Sequence, residues 1–193
     1  MVAASQLRAG MAIKHQGQDY RVVAAEYHPG QGKMGGVTHA RLQNIGTGTF
    51  WEHSFRAEFK LEDLLVERQT LEFLYADGDQ CCFMNPETYE QTEIARSVAG
   101  QQVAFLEAGM KLAVDFVGGR PVSVLIPDVL EVKIADTAPP THQQADAAYK
   151  PAKLENGAEV MVPQFVKTGD VIRLDLQTMK YVDRAKDAKL KHA

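Results

Sequence analysis

Between Val37 and Asn44 the chain alternates, with Thr38, Ala40 and Leu42 facing one way and His39, Arg41 and Gln43 the other. That two-residue period predicts a half-buried strand. The run Tyr20 to Tyr27 reads as a second strand, so the segment His28-Pro-Gly-Gln-Gly-Lys-Met-Gly-Gly36 between them is predicted to be a hairpin tip. Short strand-like runs recur along the whole chain. In the middle third they are Thr70–Tyr75, Gln80–Met84, Lys111–Val117 and Pro121–Ile126, joined pairwise by turn signals at Asp77-Gly-Asp and Gly118-Gly119. Glu93 to Leu106 is predicted to supply one short helix. Later come Glu159–Val162, Gln164–Val166, Val171–Asp175 and Tyr181–Val182, after a polar, proline-bearing excursion over 137–148 and before a charged, frayed tail, Arg184–Ala193. Evenly spaced strands without alternating helices predict an all-β chain of small barrels, the middle one OB-like with a capping helix.

Composition bounds the function more than the fold. The 193 residues are 45% hydrophobic and 24% charged, an ordinary soluble balance that folds without staples. No apolar run approaches the roughly 18 residues of a membrane helix, and the first residues lack the layout of a signal peptide, so a cytoplasmic protein is expected. Adjacent Cys81 and Cys82 have no zinc spacing and are expected to be buried strand thiols. His15, His28, His39 and His53 share no repeated ligand spacing, so no metal site and no cofactor are predicted. No Ser/His/Asp or Cys/His set appears either, and the chain is read as no enzyme, with no catalytic residue.

Charge is uneven. Seven Lys and Arg stand against six Asp and Glu in residues 1–65, four against ten in 66–128, and ten against nine in 129–193, for a net charge of −4. An acidic middle argues against a protein that coats nucleic acid by simple electrostatics.

The glycines of the tip invite two phosphate-binding readings, and both fail. Gly30, Gly32 and Gly35 are spaced as G-x-G-x-x-G, but a strand follows where a dinucleotide site needs a helix. Gly32-Lys33 lacks the glycine five residues earlier and the following Ser or Thr of a P-loop; Tyr27 and Met34 stand there instead. What remains is a lysine displayed on a glycine hairpin.

Specific residues then point to a family. Lys150-Pro-Ala, Gly157, Val162-Pro163, Phe165-Val, Gly169-Asp170, Ile172, Asp175 and Tyr181-Val-Asp-Arg184 form one set. Phe83-Met-Asn-Pro-Glu-Thr-Tyr-Glu-Gln91, Gly119-Arg-Pro-Val-Ser-Val124 and Glu131 to Asp136 add three more stretches. With this spacing the chain resembles bacterial elongation factor P along essentially its whole length. The resemblance implies an SH3-like (KOW) domain over 1–65 carrying the hairpin, an acidic OB-fold over 66–128 and a C-terminal OB-fold over 129–193, in an L-shaped, tRNA-like arrangement. It implies a monomeric translation factor that binds the 70S ribosome between the peptidyl and exit sites, touching peptidyl-tRNA and rRNA. Its hairpin lysine, here Lys33, would reach the CCA end and promote bond formation at consecutive prolines, with a lysine-modifying enzyme as a further partner.

Pro29, Gly30, Gly32, Met34, Gly35 and Gly36 surround that lysine; His28, His39 and Arg41 are candidates to line RNA beside it, as Tyr181 and Arg184 are in the third domain. Trp51 and Phe55 read as core. Two features depart from the common bacterial pattern. Gln31 follows Pro29-Gly30 where a lysine is usual, and Lys33 comes two residues later, so the tip looks like that of the related hypusine-bearing factor of eukaryotes and archaea. The third-domain loop is Gln143-Gln-Ala-Asp-Ala147 in place of Gly-Asp-Thr, which leaves the family's mRNA contact without its residues. The alternative is an OB-fold RNA-binding or regulatory protein with no peptidyl-transfer role.

Overall fold

The computed structural model describes residues 1–30, 35–140 and 148–185. In these the regular secondary structure is almost wholly strand, folded into three antiparallel sheets. The first sheet is made of β1 (Val2–Ala3), β2 (Ala12–His15), β3 (Gln18–His28), β4 (Val37–Asn44), β5 (Phe50–Arg56) and β6 (Lys60–Leu64), in the order β1-β6-β2-β3-β4-β5. It rolls around Leu7, Ile13, Val22, Leu42, Phe55 and Leu61. A 3₁₀ turn over Ala4–Gln6 closes it, with Ala4 N–H donating to Phe59 and Ser5 N–H to Ala57.

The second sheet contains β7 (Glu67–Asp77), β8 (Gln80–Met84), β9 (Gln91–Ala95), β10 (Lys111–Val117) and β11 (Arg120–Leu125), ordered β11-β10-β7-β8-β9. Phe73 and Phe83 meet edge to face in its core, rings 5.4 Å apart. Gly118 and Gly119, at φ 56° and 78°, form the two-residue turn joining Val117 to Arg120. Positive φ at both centres matches the right-handed twist of the paired strands. The third sheet, β12 (Val129–Thr137), β13 (Tyr149–Leu154), β14 (Glu159–Pro163), β15 (Val171–Asp175) and β16 (Lys180–Arg184), runs β14-β13-β12-β15-β16.

By contacts the described chain forms two compact units, one of 1–101 with 107–125 and one of 102–106 with 126–193. The first two sheets share the first unit. Ala12, Val117 and Val122, with Ile45, Leu64 and Val66 packed on them, make an apolar seam inside it.

Several sequence expectations need correction. Glu93–Ala95 belongs to β9, because Cys82 pairs with Glu93 and Cys81 with Ile94; the helix is only Arg96–Ala99 (α1), followed by a 3₁₀ stretch, Gln101–Phe105. Gln164–Val166 is a turn, closed by Val166 N–H on Pro163. Arg184 ends β16 and is no part of a tail. Gln43 is buried, not outward facing, with its Nε2 donating to Gly48 at 3.3 Å. Cys81 and Cys82 are free and buried, as expected.

Candidate functional site

Strands β3 and β4 pair from Tyr20↔Asn44 to His28↔Val37, with an irregularity between Val22 and Ala24. The residues 29–36 join the ends of this ladder, and Lys33 stands within them in sequence. Gln31, Gly32, Lys33 and Met34 lie outside the described residues, as does the Gln143–Ala147 loop. Pro29, Gly30 and Gly35 are exposed.

Alternation sorts the hairpin into two faces. Thr38, Ala40 and Leu42 point into the barrel and are buried, while Glu26, His28, His39 and Arg41 are exposed on the other face. His39 sits opposite Glu26 on β3 and Ser54 on β5. Its Nδ1 and the Ser54 hydroxyl share a hydrogen bond of 2.7 Å, and its ring meets that of His28 edge to face at 5.1 Å. His28 Nε2 lies 3.5 Å from Glu26 Oε1. Arg41 is held by β5: its Nε is 3.9 Å from Glu52, and its guanidinium stands over the Phe50 ring at 5.0 Å. These exposed pairs add little to stability. They order the face, leaving imidazole, guanidinium and a half-exposed aromatic ring in one strip leading toward the tip.

Gly36 has a reason that its sequence context hid. A Cβ there would lie 2.6 Å from Tyr27 Cε2 and 2.7 Å from its hydroxyl, so the Tyr27 ring fills the space a side chain would take. The Gly36 carbonyl accepts from Ala57 N–H, tying the emerging strand to the end of β5. Behind the hairpin, Phe55 is core and Trp51 packs against it. His15 lies against both Trp51 and His53, ring centroids 5.7 and 5.9 Å away, and burial, then the neighbouring His53, lower its pKa.

Tyr181 and Arg184 lie on β16, in the other compact unit. Tyr181 is half-buried with its ring edge-on to Phe165 at 6.5 Å, and burial raises its phenol pKa. Arg184 Nη2 pairs with Asp170 at 2.9 Å. Sequence reasoning missed Glu26, Ser54, Phe50 and Glu52. Only Glu26 was legible, two positions before His28 on the same strand; the rest are cross-strand neighbours that depend on register.

Three family models cover nearly all of the chain: "Elongation factor P (EF-P) KOW-like domain" over residues 3–61, "Elongation factor P (EF-P) OB domain" over 66–124 and "Elongation factor P, C-terminal" over 130–184. Curated proteins named elongation factor P agree. That of Gemmatimonas aurantiaca is 37% identical over 96% of this chain and 98% of its own length, and that of Thermus thermophilus 38% identical over 96% and 100%. A solved structure of eukaryotic translation initiation factor 5A from Methanococcus jannaschii aligns with 64% of this chain and 92% of that one, at 19% identity and a TM-score of 0.46. A KOW-like domain followed by an OB domain and the family's C-terminal domain is the make-up of a class of translation factor. The chain belongs to the elongation factor P family.

Proposed function

We propose that this protein is a translation elongation factor that binds the 70S ribosome between the peptidyl and exit sites and uses Lys33 to hold the CCA end of peptidyl-tRNA in reactive geometry. Family membership along the full chain is the observation that carries this reading. The paired hairpin, with its exposed strip of His28, His39 and Arg41, supports it. Lysine suits the task because its compact charge and three donors on a flexible stem match phosphate and sugar oxygens.

The factor breaks no bond itself. Proline-bearing substrates react slowly because their reacting groups are badly placed, and orientation alone supplies large rate factors. Peptide-bond formation at proline runs is therefore the step it promotes, and the ribosome remains the catalyst. In this reading 1–65, 66–128 and 129–193 are three domains of a cytoplasmic monomer, Tyr181 and Arg184 contact RNA, and a lysine-modifying enzyme acts on Lys33.

The test is synthesis of a proline-run reporter with purified factor and Lys33→Ala. The parent is expected to relieve the stall and the variant to fail while binding 70S ribosomes. If the parent binds free oligonucleotides as well as ribosomes and relieves nothing, it is an RNA-binding protein without a peptidyl-transfer role.

A further inference from the structure

A glycine at the end of a strand marks either a backbone conformation that other residues avoid or a place where a neighbour comes too close for a side chain. Gly36 is of the second kind. It stands one residue before β4, and its φ lies outside the left-handed region that Gly118 and Gly119 occupy, so its backbone would accept an alanine. The obstacle is Tyr27. Its Cε2, Cζ and hydroxyl all lie within 2.9 Å of where a Cβ on Gly36 would be, so the hydroxyl end of the ring covers the glycine.

Register explains the meeting. Tyr27 pairs with Thr38, whose side chain is buried, and Gly36 is two residues before Thr38, on the same face. A diagonal neighbour of this kind is within reach of an aromatic ring. Tyr27 is 47% exposed, so it stands at the rim of the core and adds less to it than a buried ring would. Gly36 is held from β5 as well, its carbonyl accepting from Ala57 N–H at 2.8 Å beside the Val37↔Arg56 pair. At the incoming root of the hairpin, Pro29 follows His28 and its own ring fixes φ. The outgoing root has the opposite composition, because Gly35-Gly36 are the residues with the most backbone freedom to lose.

We propose that Tyr27 is a positioning residue for Lys33: its ring, laid over Gly36, removes the freedom of the glycine at the outgoing root, so that the lysine three residues earlier works from a fixed base. This rests on the reading of Lys33 as the working group. Ordering one backbone residue is worth a factor of about five or more. A displacement of about 1 Å that begins far from the reacting atoms can cost about a hundredfold, so a loose root lowers the rate without touching the lysine.

The experiment compares the intact protein with Tyr27→Phe, Tyr27→Ala, Gly36→Ala and the double variant Tyr27→Ala with Gly36→Ala. Maximal stimulation of proline-run synthesis at saturating factor is measured beside affinity for 70S ribosomes, with the NMR shifts and backbone ¹⁵N relaxation of residue 36. In the parent and in Tyr27→Phe the ring is expected to shift the Gly36 Hα resonances upfield, the Gly36 amide to be as ordered as that of Thr38, and stimulation to be full. In Tyr27→Ala the shift is expected to vanish, the amide to loosen and maximal stimulation to fall about fivefold, with ribosome affinity unchanged. Gly36→Ala pushes the ring aside and is expected to lower stimulation too. The double variant should lose no more than the worse single one, because both break the same contact.

Gly36→Ala keeps the proposal testable if Tyr27→Ala fails to fold. Full stimulation by Tyr27→Ala overturns the assignment, as do losses that multiply in the double variant. A Tyr27→Phe as poor as Tyr27→Ala, or a loss confined to ribosome affinity, also overturns it, by making Tyr27 a direct contact to the ribosome. A parent that stimulates nothing overturns the proposed function instead, and the residue 36 resonances still decide whether the ring orders the root.

Discussion

Thr38 lies on β4 with its side chain turned into the barrel, 1% exposed, and its Oγ1 has no hydrogen-bond partner among the described residues. A buried hydroxyl left unpaired carries a desolvation penalty of about 1–3 kcal/mol. Valine has nearly the same shape, places a methyl where the hydroxyl was, and suits a strand. Thr38→Val is therefore expected to stabilise the first barrel by about 1–2 kcal/mol, after some loss to imperfect packing. Thr38→Ser keeps the hydroxyl, removes the methyl and is expected to cost about 1 kcal/mol. The chain has one tryptophan, Trp51, and it packs on this barrel's core, so its fluorescence reports urea unfolding where the change is made. With a slope of about 2 kcal/mol/M, within the usual range of about 1–3, the midpoint should rise by roughly half to one molar at unchanged slope. A lower midpoint for Thr38→Val would show that the hydroxyl is bonded and that the packing reasoning is wrong.

His15 makes stability pH-dependent: its folded pKa lies below the ordinary value of about 6.5, so the unfolded chain binds its proton more readily. Its contribution is complete above about pH 6.5 and is lost as pH falls toward the lowered folded value; subtracting the Trp51-monitored midpoints of His15→Gln should expose this slope, and an opposite slope would mean a charged ring is favoured against Trp51. Gly36→Ala should displace the Tyr27 ring, and a double-mutant cycle with Tyr27→Ala should show coupling above about 0.5 kcal/mol; additive effects would contradict the contact. Affinity for 70S ribosomes should fall steeply with salt despite the net charge of −4, because phosphate contacts release counterions, and a flat dependence would indicate protein contacts instead.

The hairpin itself was legible in the sequence, since a strand with one wet face needs the alternation that Thr38, Ala40 and Leu42 display. Gln80–Met84, Lys111–Val117 and Val171–Asp175 were legible to the residue, because turn signals bound apolar runs. Lys33 was singled out by its glycine setting and the family's spacing, both properties of the chain in one dimension. Periodicity failed where pairing partners decide: Glu93–Ala95 is strand only because β8 lies beside it, and Gln164–Val166 turns because Pro163 and Val166 close a bond. The contacts that order the site join residues on different strands: Gly36 to Tyr27 across the hairpin, and His39 to Ser54 across a register. Local pattern reports which face of a strand is dry, whereas the neighbour that a buried charge or an emptied glycine meets is set by register and packing, which exist only once the chain has folded.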